Sequence, residues 1–351
     1  MRSITRWTSM RHPLLLGVSA LSAFAGVATG ARAQQYDERI TVERVVVNAH
    51  VIDRFSVPIE GLSPRDFVVK VDGKIVALES AEWVGATTKT GASPSPVAGE
   101  VGIDAPSTAA PEPEGRSIIM LFEWEVAAQK AVGFVRAQRL ASELVGGMHP
   151  GDRVAILLFD SRLWLRQDFT EDKARLAEDL EHVLSHDEDR SPQGTVSGLA
   201  RQLSLDDARD ATSPEKALEI LGKALAATPG KKSLLFFGSQ VENWYGRTTV
   251  HYGLARRNLT EAETSVFCLD TSDGRHRLSR NLEHIAAETG GLYFETFDFP
   301  RMALRSIERV LSGYYVLVFR NPAGPRGQHE IAITLAGRSG SVAHRRFYED
   351  H

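Results

Sequence analysis

With 351 residues, 42% hydrophobic and 25% charged, the chain has the size and composition of a folded protein with room for two domains. Its formal charge of −4 excludes the basic balance of a nucleic-acid binder. Cys268 is the only cysteine, so no intramolecular disulfide can form and packing must supply the stability.

Residues 1–33 have the three parts of a secretory signal. Arg2, Arg6 and Arg11 form a basic start, "PLLLGVSALSAFAGVATG" an apolar stretch rich in small residues, and "ARAQ" a small–x–small end. Cleavage is expected after Ala33, making the protein secreted or periplasmic; retention as an anchor is the alternative. The segment carries four arginines and no acid, so its loss takes the balance from 41 − 45 to 37 − 45, or −8. No later segment approaches the roughly 18 to 20 apolar residues of a membrane span, so none is expected after cleavage.

Residues 34–84 read as a β segment. "TVERVVVNAHVID" alternates apolar and polar residues, "DFVVKVDGK" closes on an Asp72-Gly73 turn, and "IVALESAEWV" reads as the returning strand. Residues 85–115 are Ala, Pro, Ser, Thr and Gly with almost no bulky apolar side chain, the composition of a flexible linker.

From 116 to 312 strands and helices alternate. "SIIMLF" leads into a helix whose Val132, Val135, Leu140 and Leu144 follow helical spacing as far as Gly146-Gly147. "DRVAILLF" is a fully apolar strand and "RLWLRQDF" an edge hairpin partner. "TEDKARLAEDLEHVL" is a helix with Thr170 at its cap, and "SPEKALEILGKAL" one with Ser213 at the cap and Pro214 at the first position. "KSLLFFG", "SVFCLD" and "LYFE" are strands; "LSRNLEHIAAETGG" and "RMALRSIERVLS" are helices. Apolar strands alternating with amphipathic helices specify a mostly parallel sheet covered on both faces. Residues 313–351 return to β: "GYYVLVFR", "HEIAITLA" and "SVAHRRFY", joined by hairpin signals. Neither β segment can hold a core alone, so 313–351 is expected to pair with 34–84 into a small β-sandwich around the α/β domain.

The first α/β strand ends in "FEWEVA", where Glu123 and Glu125 stand at a buried strand end, a usual place for catalytic or metal-binding acids. An α/β domain framed in this way resembles the von Willebrand factor A fold, and more closely the VWFA-related domain family of Acidobacteria type. The resemblance rests on "GLSPRDFVVKVDGK", "MHPGDRVAILLFDSRLWLRQDFTED", "LEHIAAETGGLYFE" and "LSGYYVLVFR", in that order along almost the whole mature chain. It implies a doubly wound, Rossmann-like sheet and a role in protein–protein interaction. It also implies a metal-ion-dependent adhesion site, built from D-x-S-x-S, a loop threonine and a loop aspartate.

Here that site is degenerate. D-x-S-x-S falls on Glu123-Trp124-Glu125-Val126-Ala127, so both hydroxyls are gone and the first acid is one methylene longer. Thr195 matches the loop threonine, while the third loop reads Gly238-Ser239-Gln240, with Glu242 the nearest acid. The expectation is a non-enzymatic protein that needs no cofactor and binds another protein through rim residues Trp124, Trp244, Tyr245 and Asp270. The alternative is an altered site at Glu123, Glu125, Thr195 and Ser239 holding Mg²⁺ or, in a looser oxygen cage, Ca²⁺. A hydrolase using Glu123 and Glu125 as acid and base has no supporting motif.

Three further features have plain readings. "CLDTSDG" copies a D-x-S motif, but it follows a later strand and fits an Asx or Ser turn. His182 and His186 read as a solvated helix end, and Cys268 as a buried inert thiol. Asn258 in "NLT" fits a glycosylation acceptor by pattern; its plain reading is a surface-helix residue in a host that does not glycosylate.

Overall fold

In the computed structural model, residues 43–85, 115–124, 131–184, 198–242, 249–322 and 324–350 are described. The signal segment, most of the linker, and Glu125, His186, Thr195, Trp244 and Tyr245 lie outside them.

Strand β1 (Arg44–Ile52) buries alternate residues Val45, Val47, Ala49 and Val51, as its period-two pattern requires. Strands β2 (Phe67–Val71) and β3 (Lys74–Val76) form the expected hairpin, with positive φ at both Asp72 (49°) and Gly73 (77°), the two central residues of the turn. The returning strand does not continue as read. It breaks at Ala77, and β4 (Leu78–Gly85) joins a different sheet, antiparallel to a strand near the C-terminus.

The α/β region begins with β5 (Ser117–Glu123) and α1 (Ala131–Gly146). The buried face of α1 is Phe134, Ala137, Leu140, Ala141 and Leu144; Val132 and Val135, placed above on one helical spacing with Leu140 and Leu144, are solvent-exposed. The stripe through Phe134 and Ala137 is the one that continues into Leu140 and Leu144 at three- and four-residue steps. Next come β6 (Arg153–Phe159), β7 (Leu163–Thr170) and α2 (Lys173–Glu181). Asp172, not Thr170, caps α2, accepting from Ala174 and Arg175 N–H; Thr170 accepts from Asp172 N–H one step earlier. Short helices α3 (Leu199–Gln202) and α4 (Leu205–Asp210) precede α5 (Pro214–Leu225), which has the expected Ser213 cap and Pro214 start. Then follow β8 (Lys232–Gly238), α6 (Val250–Glu261), β9 (Thr264–Asp270), α7 (Ser279–Thr289), β10 (Tyr293–Glu295) and α8 (Pro300–Leu311). Gly290, in the left-handed region (φ 84°), stops α7.

These strands form one six-stranded sheet in the order β10-β9-β8-β5-β6-β7, parallel except for β7. Alternation along β5 feeds two cores. Ile119 and Leu121 pack with Leu218, Leu221, Leu259 and Ile285 on one face. Ile118, Met120 and Phe122 pack with Leu140, Leu176, Ile307 and Val310 on the other. The C-terminal ends of the parallel strands share one rim, the place where open α/β sheets carry their sites.

Strands β11 (Gly313–Arg320), β12 (Gly327–Leu335), β13 (Ser341–His344) and β14 (Phe347–Asp350) complete two antiparallel four-stranded sheets, ordered β13-β1-β11-β4 and β14-β12-β2-β3. Each sheet takes strands from both ends of the chain, and both line one apolar core that includes Val47, Val69, Leu317, Phe319 and Ile333. Two hairpin readings are corrected. The β11–β12 connection crosses between sheets, because its Pro- and Gly-rich stretch is too long for a tight two-residue turn. The last strand is cut at Arg345-Arg346, whose backbone pairs with the end of α7 through Thr289 and Glu288.

The seam between β1, β11 and the parallel sheet is polar at one point. Lys231 Nζ lies 2.6 Å from His50 Nε2, and His50 Nδ1 lies 3.1 Å from the Gly313 carbonyl. A carbonyl only accepts, so the proton sits on Nδ1 and Nε2 receives the lysine. The ammonium also lies 3.8 Å from the centre of the Tyr314 ring. Burial lowers His50 well below its ordinary value and takes Lys231 down to about 7.

Candidate functional site

Glu123 closes β5 at the rim, but its carboxylate turns sideways to the neighbouring strand. Oε2 accepts from Ser239 N–H at 2.6 Å and from Gln240 N–H at 3.3 Å, tying the end of β5 to the loop after β8. Gly238 permits this approach: a Cβ there would lie 2.7 Å from Glu123 Oε2 and 2.4 Å from the Phe236 ring. The extra methylene of Glu supplies the reach. Ser239 is buried beneath this clamp.

Trp124 does not stand out from the rim. Its N–H donates to Phe159 O at 2.7 Å, and its ring meets Phe134 edge-on at 4.9 Å, half-buried against the core. Packing of the indole on α1 explains the difference from the reading of an exposed anchor.

Asp270, at the end of β9, is also no surface residue: it is 0% exposed. Oδ1 accepts from Ser272 N–H (3.0 Å) and Oγ (2.6 Å); Oδ2 accepts from Ser279 Oγ and Tyr293 OH, both at 2.8 Å. Its carbonyl takes Thr296 Oγ1 at 2.5 Å, and His276 Nε2 lies 3.8 Å from Oδ1. The Ser272 contacts are the turn expected of "DTSDG". Burial and donation to Asp270 push the Tyr293 hydroxyl upward; burial and the Asp270 charge do the same to the Cys268 thiol, keeping it protonated.

The structure thus brings Glu123 and Ser239 together, while Asp270 anchors its own loop. Two buried acids that sequence reasoning passed over lie elsewhere in the α/β region. Asp168 is fully buried in β7 and accepts from Phe169, Leu199 and Ala200 N–H at 2.7, 2.9 and 3.0 Å, fixing α3 to the sheet. Glu215 accepts from the Glu242 N–H, so the nearest acid of the third loop is held by its backbone rather than aimed at Glu123. The signal for Asp168 was an acid next to apolar residues in "RQDFT". Asn258 Nδ2 donates to Glu219 O at 3.1 Å on half-buried α6, and His182 Nδ1 lies 2.9 Å from Glu178 O at the end of α2.

Of the candidate ion ligands, Glu123 and Ser239 are described, whereas Glu125 and Thr195 lie outside the described residues. Glu123 spends one oxygen on two backbone donors, and among the described residues no group of three or more His, Cys, Asp or Glu side chains gathers to hold a metal. No helix among the described residues is long and apolar enough to cross a membrane.

No protein-family model matches the chain, and no curated protein matches it. Solved structures do. An aerotolerance-related membrane protein from Bacteroides fragilis is 16% identical, over 56% of this chain and 99% of that one, with a TM-score of 0.37. BatB from Bacteroides thetaiotaomicron is 17% identical over 56% and 99%, also at 0.37. A von Willebrand factor type A structure from Catenulispora acidiphila is 10% identical over 88% and 75%, at 0.40. The similar structures therefore include the fold type that the sequence resembles.

Proposed function

We propose that this is an exported, non-enzymatic, von Willebrand factor A-related protein that binds another protein at its α/β rim, with no ion at Glu123. In this reading the six-stranded sheet is doubly wound and sits between the halves of a small β-sandwich. The observation that carries it is the Glu123 carboxylate, engaged by Ser239 and Gln240 N–H, so that the adhesion-site position acts as a loop clamp. A bridging metal has to leave its acid free to coordinate at about 2.0–2.1 Å for Mg²⁺, and this acid is already committed to the fold.

Calorimetric titration of residues 34–351 with Mg²⁺, Mn²⁺ and Ca²⁺ tests the reading. No micromolar binding is expected. Binding that disappears in Glu123→Ala would replace it with the ion-dependent alternative.

A further inference from the structure

At the outer corner of the sheet, β7 is the last strand, and its hairpin from β6 carries Arg162, Trp164 and Arg166. Both guanidiniums lie over the Trp164 indole, their central carbons 3.4 and 4.8 Å from the ring centre. The indole is itself fixed by donation to Asp160 Oδ1 at 2.7 Å. Pairing between β6 and β7 skips Arg166: Leu165 faces Leu157 and Gln167 faces Ile156. Arg166 is therefore the extra residue of a β-bulge, a device that re-aims one side chain away from the regular pleat.

Its Nε and Nη2 are buried and have no hydrogen-bond partner. These two N–H groups form one edge of the guanidinium, the edge that grips a carboxylate with two parallel bonds. The same molecule shows the edge in use, since Arg116 directs Nε and Nη2 at the two oxygens of buried Asp152. Arg166 has the fork without the acid.

We propose that the Arg166 fork, backed by Trp164 and Arg162, is the receptor for a carboxylate on an acidic segment of a partner protein. The proposal rests on the protein-binding reading and gives that partner a chemistry. Two arginines flank the Trp164 indole on a chain whose overall charge is negative, an arrangement that favours the approach of an acidic segment. A flat two-oxygen acid matches a single fork, and Asp160 opposes the second charge of a phosphate dianion. Because the fork is recessed, a side chain at the corner has to swing aside, and the ion pair then forms out of water, where it is strongest.

The test measures binding of a labelled Ala-Glu repeat decapeptide to residues 34–351, with the Ala-Gln repeat and inorganic phosphate as controls. The Glu peptide is expected to bind at least about tenfold more tightly than the Gln peptide. Arg166→Lys keeps the charge but lacks the fork and should lose about that factor. Arg166→Met should lose the preference and raise the thermal midpoint, because two unpaired buried donors are removed. Equal binding of the two peptides, wild-type binding by Arg166→Lys, or binding of phosphate alone would each overturn the assignment. Acid-specific binding indifferent to Arg166 would overturn this site while leaving the protein-binding reading standing; the ion titration fails or succeeds separately.

Discussion

Asp270 and Arg166 stand on the same α/β sheet, one at the end of β9 and the other midway along β7, and they have opposite accounts. Asp270 is fully buried and receives donors from Ser272, Ser279 and Tyr293, all supplied by the chain that follows it. Arg166 is sheltered among its neighbours, yet two of its donors meet nothing. A fold satisfies the polar groups it needs for itself. The group left over is the better guide to what lies outside the molecule, and acidic residues at strand ends, however suggestive in sequence, are not.

That contrast is broken most directly at Asp270. Asp270→Ala removes the acceptor of the Ser279 and Tyr293 hydroxyls and one of the two acceptors of Ser272 Oγ, with an expected loss of roughly 3 to 5 kcal/mol in urea unfolding. Asp270→Asn, which keeps one acceptor, should lose less. An Asp270→Ala protein as stable as wild type would mean the loop stands without its hub.

Next in size is the seam at Lys231, where a buried cation has a partner but pays in desolvation. Lys231 sits at about 7 in the fold against an ordinary 10.5, so between those values the unfolded chain binds more protons. Stability then climbs with pH over that window, and the penalty is fully present below it. His50, lowered from 6.5, adds a climb of the same sign on its acid side. Urea midpoints at about pH 6 and about pH 10 should differ more in wild type than in Lys231→Met. Equal differences in the two proteins would remove Lys231 from the cause.

The smallest effect is expected at Glu123. Glu123→Gln retains an acceptor for Ser239 and Gln240 and loses only its charge, a cost of about 1 kcal/mol. A loss several times larger would show that the carboxylate carries more than the loop clamp.

Much of the α/β region was legible in sequence because parallel strands with both faces covered are written as apolar runs, as in "SIIMLF" and "KSLLFF". The Ser213-Pro214 start and the Gly290 stop were equally plain, since they are local chemistry. What failed was what depends on distant partners. Nothing near Ala77 or Arg345 announces a change of sheet, because each half-strand keeps its alternation while its neighbour changes. The exposure of Val132 is a different case, because the spacing through Phe134, Ala137, Leu140 and Leu144 already marks the stripe that is buried. At the rim, Glu123 was located correctly but its orientation was not, for that is decided by Gly238 on another strand.

The strand register also dictates an order of assembly. Arg44 of β1 lies opposite Arg320 of β11, and Ala49 opposite His344 of β13. Synthesis therefore delivers β1 long before either neighbour exists, and closing so long a loop is slow unless the ends are brought near. Folding of the α/β region between them brings β11 beside the seam at His50 and so shortens that search. Until then Val45, Val47, Ala49 and Val51 remain uncovered on an edge without a mate, so the earliest strand to emerge is the one in longest need of protection from aggregation.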